Sequence, residues 1–333
     1  MTAIMKPNKW LLADYTSRHR ILEFYNLIGS KLPSELRLIC ERKPYSKRMS
    51  VADSLLFWNS IGGETRRLSH DGYYSALLPQ LPPGDTDQGR KLPLNRMRRV
   101  WGGGSLELVH SSNRIDDQLP PPSSQPHLLG LKLDHEYRCL ERVTKTRWLG
   151  GDAFVVVERG IVDALSQKYI LRDERVLVYT GKVPSLTSTK VLTGSSRQQN
   201  TPEDKLNTET RAKTETILAD SFVFDRMDII LYGILSKNPH RIHWDREYAQ
   251  QVEKYKDIVV QGPFVIQILA IFAEWFLLTN KGDHWASIVK LKYRNANFVY
   301  PGVVTQIFTR DGKQFVMRDK ENPDTIYAVL TVE

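Results

Sequence analysis

A chain of 333 residues, 41% hydrophobic and 26% charged, has the apolar material for a sizeable core and the length for two domains. Its two cysteines, Cys40 and Cys139, sit in no Cys-x-x-Cys or Cys/His spacing, which argues against a disulfide framework or a zinc site and points to a reducing compartment. The formal net charge of +9 favours an anionic partner without saying which, because Coulomb steering acts on any oppositely charged molecule.

The first two dozen residues carry Lys6, Lys9, Arg18 and Arg20 but also Asp14 and Glu23, with no continuous apolar run before a small-residue cleavage site. They make a poor secretory signal and are only weakly permissive as a mitochondrial presequence. The densest basic run is Arg90, Lys91, Arg96, Arg98 and Arg99, which reads as a solvated loop or as a nucleic-acid contact. No zinc-finger, RNP-type or helix-turn-helix signature accompanies it, so a nucleic-acid partner is not expected.

Residues 91–180 are rich in strand-like alternation, at 105–109, 153–157 and 175–179, and predict an upstream half that is mostly sheet. The tract Leu119-Pro120-Pro121-Pro122 reads as a surface loop. Ser, Thr, Lys, Asn and Gln then crowd together while large apolar residues nearly vanish, so 181–220 is taken as a linker between a domain at 1–180 and another at 221–333.

Downstream, 220–228 is a candidate strand. The apolar stretch 263–278 is interrupted by Gln267 and Glu274 and falls short of the roughly 18 apolar residues of a membrane span. Its apolar residues cover nearly the whole circumference of a helix, which implies burial on all sides. Short alternating segments at 288–293, 302–309, 314–319 and 325–332 supply an antiparallel sheet to wrap it, and one helix enclosed by a curved sheet is the hotdog arrangement.

Between these elements lies Asn238-Pro239-His240-Arg241-Ile242-His243-Trp244-Asp245, followed by Gln261-Gly262-Pro263 at the start of the apolar helix. Taken bare, the two histidines are as compatible with a satisfied loop as with chemistry. Metal binding is the weaker option, since no Glu follows in His-Glu-x-x-His order and no third ligand lies nearby. The segment resembles the hydratase 2 motif of the MaoC-like superfamily, in which an acidic residue lies five positions before a catalytic His and a Gly opens the central helix. Its wording is especially similar to fungal mitochondrial type 2 hydroxyacyl-thioester dehydratases, and related to bacterial mesaconyl-C4-CoA hydratases. Arg98-Arg99-Val100-Trp101-Gly102-Gly103-Gly104 and the strand 174–179 resemble upstream segments of the same subgroup, so the likeness spans roughly residues 50 to 310.

This resemblance implies an α+β fold, a double hotdog whose upstream unit is degenerate and shapes the acyl pocket. It also implies a mitochondrial (R)-3-hydroxyacyl-thioester dehydratase acting on acyl carrier protein thioesters, with coenzyme A thioesters as the alternative, and with no metal or organic cofactor. Such a reaction removes a weakly acidic proton from C2 of the thioester, which calls for a base near its working pH and for fixed donors facing the carbonyl oxygen. His243 is the candidate base. Gly262 at the helix N-terminus offers a backbone N–H and the positive dipole end, while Pro263 suits a first turn that needs no N–H. Asn238 stands where many relatives have Asp; an amide can bond the hydroxyl but cannot exchange a proton, which suggests a single-base mechanism. Arg241, Gln261 and Pro263 are candidates for substrate contact, Arg241 through a pantetheine phosphate or, equally, as half of a structural ion pair. Asp245 is a candidate to orient the imidazole, with a helix N-cap as the alternative. The glycines after Trp101 read as a tight bend near an acyl tunnel.

Overall fold

The computed structural model describes residues 9–46, 48–59, 68–79, 97–109, 130–183, 215–281 and 288–333. Among them, β1 (Lys9–Tyr15), β2 (Arg98–Leu108), β3 (Glu136–Leu149), β4 (Asp152–Asp163) and β5 (Tyr169–Thr180) come from the upstream half. The downstream half supplies β6 (Thr216–Val223), β7 (Lys290–Asn295), β8 (Val304–Thr309), β9 (Gln314–Asp319) and β10 (Ile326–Val332). All ten join in one sheet in the order β1-β3-β4-β5-β2-β7-β10-β9-β8-β6, with antiparallel neighbours throughout.

Read outward from the centre, that order is second, fifth, fourth, third and first strand in both halves. The chain therefore repeats one five-stranded topology twice and joins the copies through β2 and β7, which is the double hotdog. The seam runs from Gly103 opposite Arg294 to Glu107 opposite Lys290. The Gly-rich run is not a bend but the middle of β2, with a bulge between Trp101 and Gly103. Glycine is required there by contact. A Cβ on Gly103 would lie 2.6 Å from the Tyr293 carbonyl oxygen, and one on Gly104 would meet the Glu174 carbonyl oxygen at 1.9 Å. Gly150 and Gly151, with φ of +59° and +85°, turn β3 into β4 as a tight hairpin.

Helices fill the concave side. α1 (Arg18–Gly29) and α2 (Ser34–Arg42) follow β1, and α3 (Arg226–Leu235) follows β6. α4 (Gly262–Lys281) packs against β9, β10 and the 3-10 turn Ala52–Leu56. By length and composition α4 could cross a bilayer, which corrects the shorter count made on the sequence, but its apolar side chains lie mostly inside the protein. Its two polar interruptions are satisfied in the core. Gln267 donates to Asp53 Oδ1 (3.0 Å) and accepts from the Tyr232 hydroxyl (3.2 Å), while the Glu274 carboxylate accepts from Lys43 Nζ and Ser50 Oγ. A single apolar cluster draws on α1, α2, β2, α3, α4 and the downstream strands.

Two sequence boundaries need correction. The strand placed at 220–228 is β6, which begins at Thr216 inside the segment assigned to the linker and ends at Val223; Asp225 then caps α3 by a reciprocal capping box with Asp228. β6 is an edge strand with mostly exposed side chains, so the alternation that marks a half-buried strand is missing from its sequence. The rest of the linker segment from 184 to 214, and the Pro-rich tract, lie outside the described residues.

Candidate active site

α3 ends in a reversal that delivers the Asn238 segment to the seam between the units. Lys237 takes a left-handed conformation (φ +51°), and Asn238 N–H bonds back to Gly233 O at 2.8 Å, closing the helix as a Schellman-type cap. Asn238 Oδ1 then accepts from His240 N–H at 3.2 Å, and the chain enters a 3-10 turn over Arg241–His243. Two further contacts lock that turn. Val259 N–H donates to Ile242 O (2.9 Å), and His243 Nδ1 lies 2.7 Å from Val259 O.

The second contact fixes the chemistry of the ring. A carbonyl oxygen only accepts, so Nδ1 carries the hydrogen and Nε2 is left with a bare lone pair. Nε2 has no hydrogen-bond partner among the described residues, and the side chain lines a cavity of about 690 Å³. Burial pushes the His243 imidazole down to about 4, only partly opposed by the Val259 carbonyl. The ring is therefore a neutral acceptor at physiological pH.

Both units wall the cavity: Arg98, Trp101 and Leu177 on one side, Asn238, His243 and Gly262 on the other. Gly262 begins α4, and its N–H finds no acceptor among the described residues. A Cβ there would stand 2.5 Å from Trp101 Cε3 and 2.9 Å from Asn295 Nδ2, so the missing side chain makes room for Trp101 and Asn295. Pro263 lines the same cavity. A neutral base, an amide and a free N–H at a helix N-terminus facing one cavity can together remove a proton beside a carbonyl and hold the resulting oxyanion.

Three sequence-derived candidates fall elsewhere. Arg241 is absent from the cavity wall: its guanidinium bonds Asp245 Oδ2 (3.0 and 2.7 Å) and the His70 carbonyl (3.3 Å), and lies 4.2 Å over the Tyr248 ring. Asp245 does not orient the imidazole, a task taken by Val259; its Oδ1 accepts from Tyr248 N–H at 2.9 Å, capping the next turn. Gln261 is fully buried off the main cavity, its Nε2 tied to Ile229 O (2.7 Å), and borders a smaller apolar cavity of about 240 Å³ that also reaches Asn238 and His243.

The basic run also changes meaning. Arg90, Lys91 and Arg96 lie outside the described residues, but Arg98 and Arg99 are buried rather than solvated. Arg98 donates to Glu253 O (3.0 Å), bridging the units, and Arg99 donates to Tyr74 O (3.2 Å). Residues missed by sequence reasoning are Asp71 and Tyr73, while His240 was weighed only as half of a histidine pair. The segment around Asp71 packs on the Arg241–His243 turn, with Arg241 N–H donating to Asp71 O at 2.8 Å and Gly72 so close that a Cβ would lie 2.6 Å from Pro239 O. No local pattern marks that contact, which joins positions some 170 residues apart.

A family model described as hydroxyacyl-thioester dehydratase type 2 matches residues 52–301. The mitochondrial hydroxyacyl-thioester dehydratase type 2 of Saccharomyces cerevisiae is 28% identical over 97% of this chain and 98% of its own. Among solved structures, a MaoC-like dehydratase from Phytophthora capsici aligns with a TM-score of 0.56 at 13% identity, covering 99% of this chain and 96% of that one. A Mycobacterium tuberculosis protein described as a double hotdog aligns at 0.52 with 10% identity, covering 99% and 96%. These two structural likenesses bear on the fold alone.

Proposed function

The chain belongs to the hydroxyacyl-thioester dehydratase type 2 family, and from that premise we propose that the inter-unit cavity carries out the reversible dehydration of an (R)-3-hydroxyacyl thioester, with His243 as its base. The protein is a hydro-lyase. The observation that carries the assignment of His243 is its fixed tautomer, with Nδ1–H on Val259 O and Nε2 bare at the cavity.

In the forward direction His243 Nε2 takes the C2 proton, and negative charge moves onto the thioester oxygen. Gly262 N–H and the positive end of α4 stabilise that oxygen. The enolate electrons then form the C2–C3 double bond as the C3–O bond breaks. The imidazolium returns its proton to the departing oxygen, which leaves as water. Asn238 holds that oxygen through Nδ2, its Oδ1 being occupied by His240 N–H. Because an amide neither takes nor gives the proton, one imidazole suffices and the charges balance.

The upstream unit shapes the pocket rather than repeating the chemistry. Between its first two strands, the described residues hold α1, α2 and short turns, whereas the downstream unit places the long α4 there. We assign an acyl carrier protein as the thioester carrier because Lys182, Lys254 and Lys256 are all exposed and border the cavity, with no ion-pair partner for the last two among the described residues. An acidic carrier or its phosphate would be drawn to that rim. A mitochondrial setting is supported by the name of the yeast relative.

The test is hydration of trans-2-enoyl thioesters by purified protein, followed by loss of enoyl absorbance. His243→Ala is expected to lose about a hundredfold or more of kcat while keeping its melting transition, the lower bound of general acid–base contributions. Wild-type-like turnover by that variant sinks the assignment. For the carrier, Lys254→Glu with Lys256→Glu should raise KM for carrier-protein thioesters and leave KM for short pantetheine thioesters unchanged.

A further inference from the structure

The mechanism leaves one demand unmet. A departing hydroxyl has an oxygen that accepts and a hydrogen that must also be placed. Asn238 Nδ2 can only donate to that oxygen, and no acceptor for the hydrogen has been assigned. Beside it lies a second imidazole. His240 is buried at the cavity wall, its ring edge-on to His243 with centroids 5.3 Å apart and planes at 89°.

His240 Nε2 is buried without a hydrogen bond, and Asp71 Oδ2 lies 3.6 Å from it. Asp71 is itself immobilised: Oδ1 accepts from Tyr73 N–H (3.0 Å) and from Ser69 Oγ, while Arg99 Nη2 lies 3.6 Å from Oδ2. A carboxylate oxygen facing a ring nitrogen repels a lone pair and attracts N–H. The hydrogen of a neutral His240 therefore sits on Nε2, which leaves Nδ1 as a bare acceptor with no partner among the described residues. Burial holds the ring well below the ordinary imidazole range, against the pull of Asp71, so the neutral form is the one present.

We propose that His240, its tautomer set by Asp71, accepts the hydrogen of the substrate's 3-hydroxyl and so makes the site specific for hydroxylated acyl chains. This rests on the dehydratase reading above. The hydroxyl would then be held twice, donating to His240 Nδ1 and accepting from Asn238 Nδ2–H, with its remaining lone pair turned to the imidazolium of His243. No proton passes to His240. It fixes the rotor and thereby the face from which water leaves.

The test compares a 3-hydroxyacyl thioester substrate with the saturated acyl thioester of the same length as a competitive inhibitor. His240→Phe keeps a ring and removes the acceptor. It is expected to lower kcat/KM for dehydration about tenfold or more, the usual worth of one well-placed hydrogen bond, with the inhibition constant of the saturated thioester unchanged. His240→Gln, which restores an acceptor, should regain most of the loss. Should His240→Phe misfold, Asp71→Asn serves in its place, with a smaller loss confined to the hydroxylated substrate.

Equal weakening of both ligands would reduce His240 to a packing role and overturn the proposal, as would unchanged dehydration. A wild-type protein that binds the saturated thioester yet dehydrates no 3-hydroxyacyl thioester would overturn the dehydratase reading as well, so the two failures are told apart.

Discussion

Burial of His243 has a consequence for stability. Its folded value of about 4 lies below the unperturbed imidazole at about 6.5, so between those values the unfolded chain holds a proton that the native chain lacks. Stability therefore falls as pH drops through that window and is complete above it. Urea midpoints at pH 7 and pH 5 should separate more for wild type than for His243→Asn; equal separations would mean that the ring is not buried in its neutral form. With His243 as the proposed base, the same depression predicts that the acidic limb of kcat/KM lies near pH 4, since only a neutral Nε2 can take a proton. Gly262 illustrates a different constraint. Gly262→Ala sets a methyl against Trp101 Cε3, and overpacking of this kind costs about 1–3 kcal/mol. With Gly262 N–H as the proposed oxyanion donor, a melting curve and kcat should fall together.

At the scale of elements, what could be read from the sequence was what is local. α4 shows itself by apolar character around nearly its whole circumference, and the Arg241–His243 turn by a short segment whose spacing survives without tertiary context. The bounds of β6 were misread because an edge strand with little buried surface imposes little alternation on its sequence. Asp71 and Arg98 escaped for another reason: their meaning lies in contacts with Arg241 and Glu253, which the chain brings near only when folded. Asp245 and Arg241 each stood open between a functional and a structural reading, and the structure gives the structural one for both: Asp245 caps the next turn and pairs with Arg241, which composition does not show. Within α4, Glu274 is the residue that sequence patterning would count as an error, and the structure answers it with Lys43 from the turn after α2. Lys43→Met strands a buried carboxylate and is expected to cost about 3–5 kcal/mol. Combining it with Glu274→Leu should recover most of the loss; urea midpoints of the two variants decide the point, and an equal deficit in both would show that the pair is not what the helix depends on.

For the whole molecule, the repeated topology poses the question of whether either copy stands alone. One hotdog of this pair ends at an open edge: without β2, the strand Lys290–Asn295 presents unpaired N–H and C=O groups, and unprotected edges of that kind associate. The apolar cluster also does not divide, since Phe24 of α1 packs on Tyr232 of α3 and on Phe264 of α4, with centroids 6.0 and 6.2 Å apart. A fragment of residues 215–333 would keep His243, Asn238 and Gly262 but lose Trp101, Arg98 and the Asp71 segment that close the cavity around them. Expressed alone, it is expected to aggregate or to lack enoyl-thioester hydration. Expressed together with residues 9–183, it should become soluble and regain activity, because the seam is a set of main-chain hydrogen bonds that two separate chains can also form. An active, monomeric 215–333 would show that the first unit is dispensable and that the cavity is complete on one side of the seam.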